Sequence, residues 1–250
     1  MESRQKNIQT ILQNNIASTS RNVPLDIHFN INVRRDHLIQ DSIDQIQKAL
    51  KDNIDMKKLL KVTFIGEDGV DAGGLRKEWL FLLVKKLFDP NYGMFKFDEG
   101  THLCWFSPAS FENENQYKLL GIIIGLAMYN GIILDIHLPL ACYKRLKDKH
   151  CTLEDLREIH PQLVQGFDQM LAYEGDDMEE VFGMNFVVTY SAFDRVVEVP
   201  LIENGENILI NKTNRKDYVE RYLHWFFIES VEKQYEVIIL HLILFLYIKK

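Results

Sequence analysis

From Leu119 to Met128 the chain runs LLGIIIGLAM, ten consecutive residues without one polar side chain. A helix that is apolar on every side has no face to offer water, so the rest of the chain must enclose it. At about 1.5 Å per residue the run spans roughly 15 Å, about half the hydrocarbon thickness of a bilayer, which makes it a core helix rather than a membrane span. Gly121 and Gly125 lie four residues apart on one face, where a neighbouring backbone can approach closely. Asn130-Gly131 is a helix stop, and Pro139 is expected in the first turn of a second helix running through Leu146. These signals predict a central helical hairpin over 119–146 with the remaining elements wrapped around it.

What surrounds that helix is ordinary for a globular chain of one large or two small domains. The net charge of -7 argues against nucleic acid or an anionic membrane as partner, because phosphate contacts need clustered Lys and Arg. The cysteine count of 3 builds no disulfide framework, and Cys104, Cys142 and Cys151 suit a reducing, cytoplasmic setting. Residues 1–23 read as a polar leader without the apolar core of a signal peptide. Within it Ile8, Ile11, Leu12 and Ile16 fall at helical spacing.

Taken in order, Leu25, Ile27, Phe29, Ile31 and Val33 alternate as in a strand, and Ile39, Ile43, Ile46 and Leu50 follow at helical spacing. Arg34-Arg35 between them reads as a solvated face. A second strand-like run, Lys61 to Ile65, enters the glycine-rich turn 66–74 and then a helix from Leu75 to Phe88, its apolar face Trp79, Leu80, Leu83, Val84 and Leu87. Strand, glycine turn and helix invite comparison with a phosphate loop. The turn has neither GK[ST] nor GxGxxG, and Asp68 and Asp71 would repel a phosphate, so it is read as structural. Met94–Phe97 and Leu103–Phe106 predict a hairpin. Thr152 caps a helix whose first turn is acidic. Leu163, Phe167, Met170 and Leu171 form a short amphipathic helix, and 173–180 is an exposed acidic stretch. Asn185–Thr189 and Val196–Leu201 are β-like. A last helix is expected from Asn214 to Gln234. The closing run Val237–Ile248 is almost uniformly apolar. It is too short as a helix to cross a bilayer, and is an aggregation liability or a membrane-docking tail; the acidic charge argues against the latter.

No self-contained active site emerges. GxSxG and HExxH are absent, and no cysteine stands in a thiol-protease motif. His137, Cys142, His150 and Cys151 match no common zinc spacing, and Cys142 lies in an apolar helix. Neither a metal nor a cofactor is expected. From the residues alone the chain is α+β and mostly helical, a two-part domain whose texture changes near Leu163.

Several stretches together resemble one family. They are Val33-Arg34-Arg35-Asp36-His37, the run Val62 to Trp79, Asp89-Pro90-Asn91-Tyr92-Gly93-Met94-Phe95, Trp105-Phe106-Ser107-Pro108, Leu120 to Asn130 and Asp135-Ile136-His137-Leu138-Pro139. They continue with Tyr173-Glu174-Gly175, Glu203-Asn204-Gly205, Asn214-Arg215-Lys216 and Ser230 to Gln234. In this order they are similar to HECT-type ubiquitin ligases, closest to members with RCC1-like repeats or like the E6-associated protein. The resemblance implies the N-terminal lobe of a HECT domain over residues 24–235. It has a large helical subdomain and a small α/β subdomain at about 160–214, which binds a ubiquitin-conjugating enzyme. It also implies that the lobe carrying the thioester-forming cysteine is missing, that 236–250 is a divergent apolar tail, and that no catalytic residue is assignable. Ubiquitin would then be met only indirectly, on the conjugating enzyme.

The family's docking groove maps onto Phe167, Leu171, Val188, Tyr218 and Tyr222. Phe167 and Leu171 are four apart on one helical face, as are Tyr218 and Tyr222, and aromatics are what an inserted apolar anchor requires. The alternative is that the same five residues simply form the small subdomain's own core, a reading the enrichment of aromatics among interface anchors disfavours. Two functions follow: the docking lobe of a ubiquitin transferase, incompetent in catalysis by itself, or a binding module that competes for conjugating enzymes.

Overall fold

A computed structural model describes residues 27–68, 73–110, 113–192 and 195–247. The polar leader, the middle of the glycine-rich turn at 69–72 and the last three residues lie outside the described residues.

Among the described residues the fold is mostly helical with three two-stranded sheets. β1 (His28–Val33) pairs in parallel with β2 (Leu59–Phe64), Ile31 opposite Val62, and α1 (Leu38–Lys51) makes the crossover. Every second strand residue faces the core: Phe29, Ile31, Val33, Leu60, Val62 and Phe64 are all buried. α2 (Gly74–Leu87) buries the five residues expected of its apolar face. Its Trp79 Nε1 donates to Ser42 Oγ at 3.0 Å, and Ser42 Oγ donates to the Leu38 carbonyl at 2.7 Å, so two buried polar groups are satisfied together. Arg34 and Arg35 are more than solvated charges. Arg34 pairs with Asp41 at 2.7 Å, and Arg35 bridges Glu67 to Glu78 while stacking 4.0 Å from the Phe64 ring.

The expected hairpin forms as β3 (Phe95–Phe97) and β4 (Cys104–Phe106), antiparallel with Lys96 opposite Trp105. α3 (Glu114–Asn130) is the central helix, closed by Gly131 in the left-handed conformation (φ 66°). Its residues 119–127 are buried apart from a half-buried Ile124.

The partner of α3 differs from expectation. After Gly131 the chain runs without helix to α4 (Leu140–Leu146), with Pro139 at the N-cap rather than in the first turn, and α4 does not form a close hairpin with α3. The helix laid along α3 is instead α9 (Glu232–Tyr247), built largely from the apolar tail. A Cβ on Gly121 would overlap the Ile238 carbonyl oxygen, and one on Gly125 would come within 2.6 Å of Phe245 Cδ1. The two glycines therefore mark where α9 lies, and Ile238 and Phe245 are buried there. No described helix is long and apolar enough to cross a membrane.

α5 (Leu153–Ile159) opens with a capping box between Thr152 and Asp155, and buried Asp155 is also held by Lys144 at 2.7 Å. α6 (Pro161–Ala172) follows after a corner at His160. The acidic stretch is partly folded: α7 (Met178–Phe182) buries Met178 while Glu179 and Glu180 stay exposed. β5 (Val187–Ala192) and β6 (Arg195–Pro200) pair antiparallel. The long last helix expected from Asn214 is broken. α8 (Arg215–Phe227) ends at Ile228 (φ -117°, ψ -74°), and a 3-10 turn, Glu229–Val231, leads into α9. Burying Phe226 and Phe227 against Trp105 of the hairpin and Ile238 and Phe245 against α3 requires two helix axes.

Candidate functional site

Helices α6 and α8 gather three of the five expected groove residues into one ring cluster. α6 contributes Phe167 and α8 contributes Tyr218 and Tyr222. Phe167 meets Tyr218 edge-on at 6.0 Å and Tyr222 at 5.0 Å between ring centroids, and Tyr218 and Tyr222 lie 6.2 Å apart. Such edge-to-face pairs add to the burial each ring already gains.

The two helices hold this geometry through a residue that the periodicity does not single out. The Arg215 guanidinium, at the start of α8, donates through Nη1 to the Met170 carbonyl at 3.2 Å and to the Tyr173 carbonyl. It thus adds a second donor to the Met170 carbonyl, which already accepts from the Tyr173 amide, and supplies one to the Tyr173 carbonyl just past the end of α6. Phe186 is a second omission: it is buried and meets Tyr218 edge-on at 5.5 Å. Period-two spacing with Val188 would have placed it on the same strand face.

Burial divides the five residues. Phe167, Val188 and Tyr218 are each 2% exposed, whereas Leu171 and Tyr222 are half-buried and packed against the core. The first three are therefore the floor of this cluster, and Leu171 and Tyr222 form its more open edge. Burial pushes the Tyr218 hydroxyl up to about 12 and raises that of Tyr222 as well, so both stay neutral. The site offers apolar surface without charge chemistry.

The three thiols are also withdrawn from solvent. Cys104, Cys142 and Cys151 are free and buried. Burial pushes the Cys104 thiol up to about 12 and raises the other two. A nucleophilic cysteine needs the opposite, an accessible thiol held low by a nearby positive charge. Among the described residues no group of three or more His, Cys, Asp or Glu could hold a metal ion.

A profile described as HECT-domain (ubiquitin-transferase) matches residues 81–240. The chain belongs to the HECT-domain family. Among curated relatives it is 43% identical over 204 residues to human "Probable E3 ubiquitin-protein ligase HERC4", a match covering 82% of this chain and 19% of that protein. It is 37% identical over 251 residues to human "Probable E3 ubiquitin-protein ligase HECTD2", covering 94% of this chain and 32% of the relative. It is also 39% identical over 207 residues to "Probable E3 ubiquitin-protein ligase mug30" of Schizosaccharomyces pombe, covering 82% and 25%. The chain thus spans between a fifth and a third of the length of these relatives. The match to "HECTD2" covers more of the chain than the other two, and the HECT profile itself runs through residue 240, inside α9.

Proposed function

We propose that this chain is the conjugating-enzyme-docking lobe of a HECT-type ubiquitin ligase, and that it docks its partner over Leu171 and Tyr222. The observation that carries this reading is the Phe167–Tyr222 ring pair at 5.0 Å, with Tyr222 and Leu171 left at its edge. Aromatic and aliphatic side chains around a firm apolar floor are what a partner loop with an apolar anchor fits. Titration of a ubiquitin-conjugating enzyme against the wild type, Leu171→Ala and Tyr222→Ala tests it. Each substitution is expected to cost about 2 kcal/mol, roughly 30-fold in Kd. Wild-type affinity in both would overturn the assignment.

By itself the chain accepts no ubiquitin as a thioester, a reading supported by its three buried thiols with raised pKa. The check is to mix it with ubiquitin-charged conjugating enzyme and look for an adduct that a reductant removes; a robust adduct would refute the claim. The same thiols favour a second role, a non-catalytic module that engages conjugating enzymes and competes with complete ligases. Adding the chain to a complete ligase assay should then slow transfer, and the Tyr222→Ala variant should slow it less. Free thiols also fit a cytoplasmic setting.

A further inference from the structure

The chain enters and leaves the groove-bearing subdomain at two places. One is the corner at His160 between α5 and α6; the other is the end of α8 at Phe226. These crossings touch: the His160 ring meets Phe226 edge-on at 5.5 Å. Two adjacent crossings make a hinge, and something else must set its angle.

The β3–β4 hairpin of the large subdomain reaches across at three points. Trp105 on β4 stacks on Phe226 at 5.5 Å with 14° between planes. Phe226 in turn stacks on Tyr222 at 6.4 Å, so a ring-to-ring path runs from the hairpin to the docking surface. Asp98, just past β3, puts Oδ2 3.5 Å from His160 Nδ1. Lys96 on β3 donates Nζ to the Ser191 carbonyl on β5 at 3.3 Å and lies 5.9 Å from the Tyr190 ring centroid. A ring stack fixes the spacing of two rings more than their rotation about the common normal, so the buried Trp105–Phe226 contact is a pivot. Directed polar contacts to the corner and to a third element, β5, restrict rotation about it.

We propose that Lys96 and Asp98 are positioning residues: from the β3–β4 hairpin they set the angle of the small subdomain, and with it the direction in which a docked conjugating enzyme points. The last clause rests on the docking reading above; the angle itself does not. Neither contact stabilises the fold much, since both lie at partly exposed positions where ion pairs and carbonyl contacts are worth about 0–1 kcal/mol. Their effect is on geometry.

The test is a distance measurement between spin labels on the two subdomains. Val196 on β6 and Gln47 on α1 are both exposed and serve as label sites after substitution to Cys; the native thiols are buried. In the background Lys96→Met plus Asp98→Asn, the distance distribution should broaden or shift by about 2 Å or more, with the thermal midpoint within about 4 °C of wild type. Lys96→Arg, which can still donate to the Ser191 carbonyl, should restore the narrow distribution. Asp98 also accepts hydrogen bonds from the Gly100 and Thr101 amides; Asn keeps an acceptor there, and His160→Gln cuts the same tether from its other end should the turn be disturbed. An unchanged distribution in the double variant overturns the proposal.

A labelled conjugating enzyme then separates the two readings. If it binds, its distance to position 47 should broaden in the double variant while Kd stays within about twofold; a narrow distance would confine the role to the free protein and refute the orientation claim. If wild type binds no conjugating enzyme, docking fails while the internal distances still decide the brace.

Discussion

Gly125 lies against the Phe245 side chain, where a Cβ would come within 2.6 Å of the ring's Cδ1. The contact joins the central helix to the closing helix, and both residues are buried. Gly125→Val should therefore cost about 1–2 kcal/mol net of any helix-propensity gain, lowering the thermal midpoint by about 2–8 °C. Gly166, mid-helix in α6 with open space around it, is the control: Gly166→Ala should raise the midpoint by about 1–4 °C. Differential scanning calorimetry on the pair checks both signs.

The opposite face of α9 is bare. Leu240 is 52% and Tyr247 77% exposed, with Ile243 and Leu244 between them also exposed. Leu240→Lys with Tyr247→Lys should leave the melting curve nearly unchanged and reduce light scattering at high protein concentration. A fall in stability comparable to a core substitution would mean that this face is covered.

Floor and edge of the candidate groove should separate stability from binding. Phe167→Ala empties a buried ring position and should cost about 3–5 kcal/mol of stability. Leu171→Ala removes a half-buried side chain and should cost about 1–2 kcal/mol while still weakening conjugating-enzyme binding. Denaturant titrations beside binding isotherms read both quantities.

Two groups give the stability a pH profile with separable steps. Burial lowers His160 below its ordinary 6.5, with Asp98 opposing and Lys96 adding to the effect. The unfolded chain then takes up that proton first as pH falls, so stability is full above about 6.5 and is lost as pH drops through the folded value. Hydrogen bonding to Arg34 holds Asp41 at about 2 against an ordinary 3.8. Its contribution is present above about 4 and is lost as pH falls toward 2. Denaturant midpoints from about pH 8 to about pH 2 should show both steps; His160→Gln should flatten the upper one and Asp41→Asn the lower.

The buried thiols make a final expectation. Cys104, Cys142 and Cys151 should react with iodoacetamide at pH 8 far more slowly in the native protein than in guanidinium, by at least about a hundredfold. Fast native labelling of any one would reopen the question of a nucleophile.

The local elements were legible because their signals are local. Alternation over 27–33, the five-residue face of α2, the β3–β4 turn and the Thr152 cap each depend on a few neighbouring side chains, and each formed as expected. Phe167 with Leu171 and Tyr218 with Tyr222 could be placed on common helix faces for the same reason. Whether those faces would be open or closed could not be read, since burial depends on the distance between α6 and α8, which Arg215 sets through carbonyls 42 and 45 residues away in sequence.

The sequence by itself determined that the run from Leu119 had to be enclosed, as it is through Ala127 though not at Met128, and that Gly121 and Gly125 had to face something close. Only the tertiary structure decided what that was. The nearer helix, α4, follows a non-helical segment that carries it away from α3, whereas the tail behind α8 has the length and apolar surface to lie along it. A run that looked like a liability in isolation is the helix that shields the core. The physical reason is that a helix's hydrophobicity states only that it must be buried, and its partner is chosen by the path of the chain and by close packing against atoms far away in sequence.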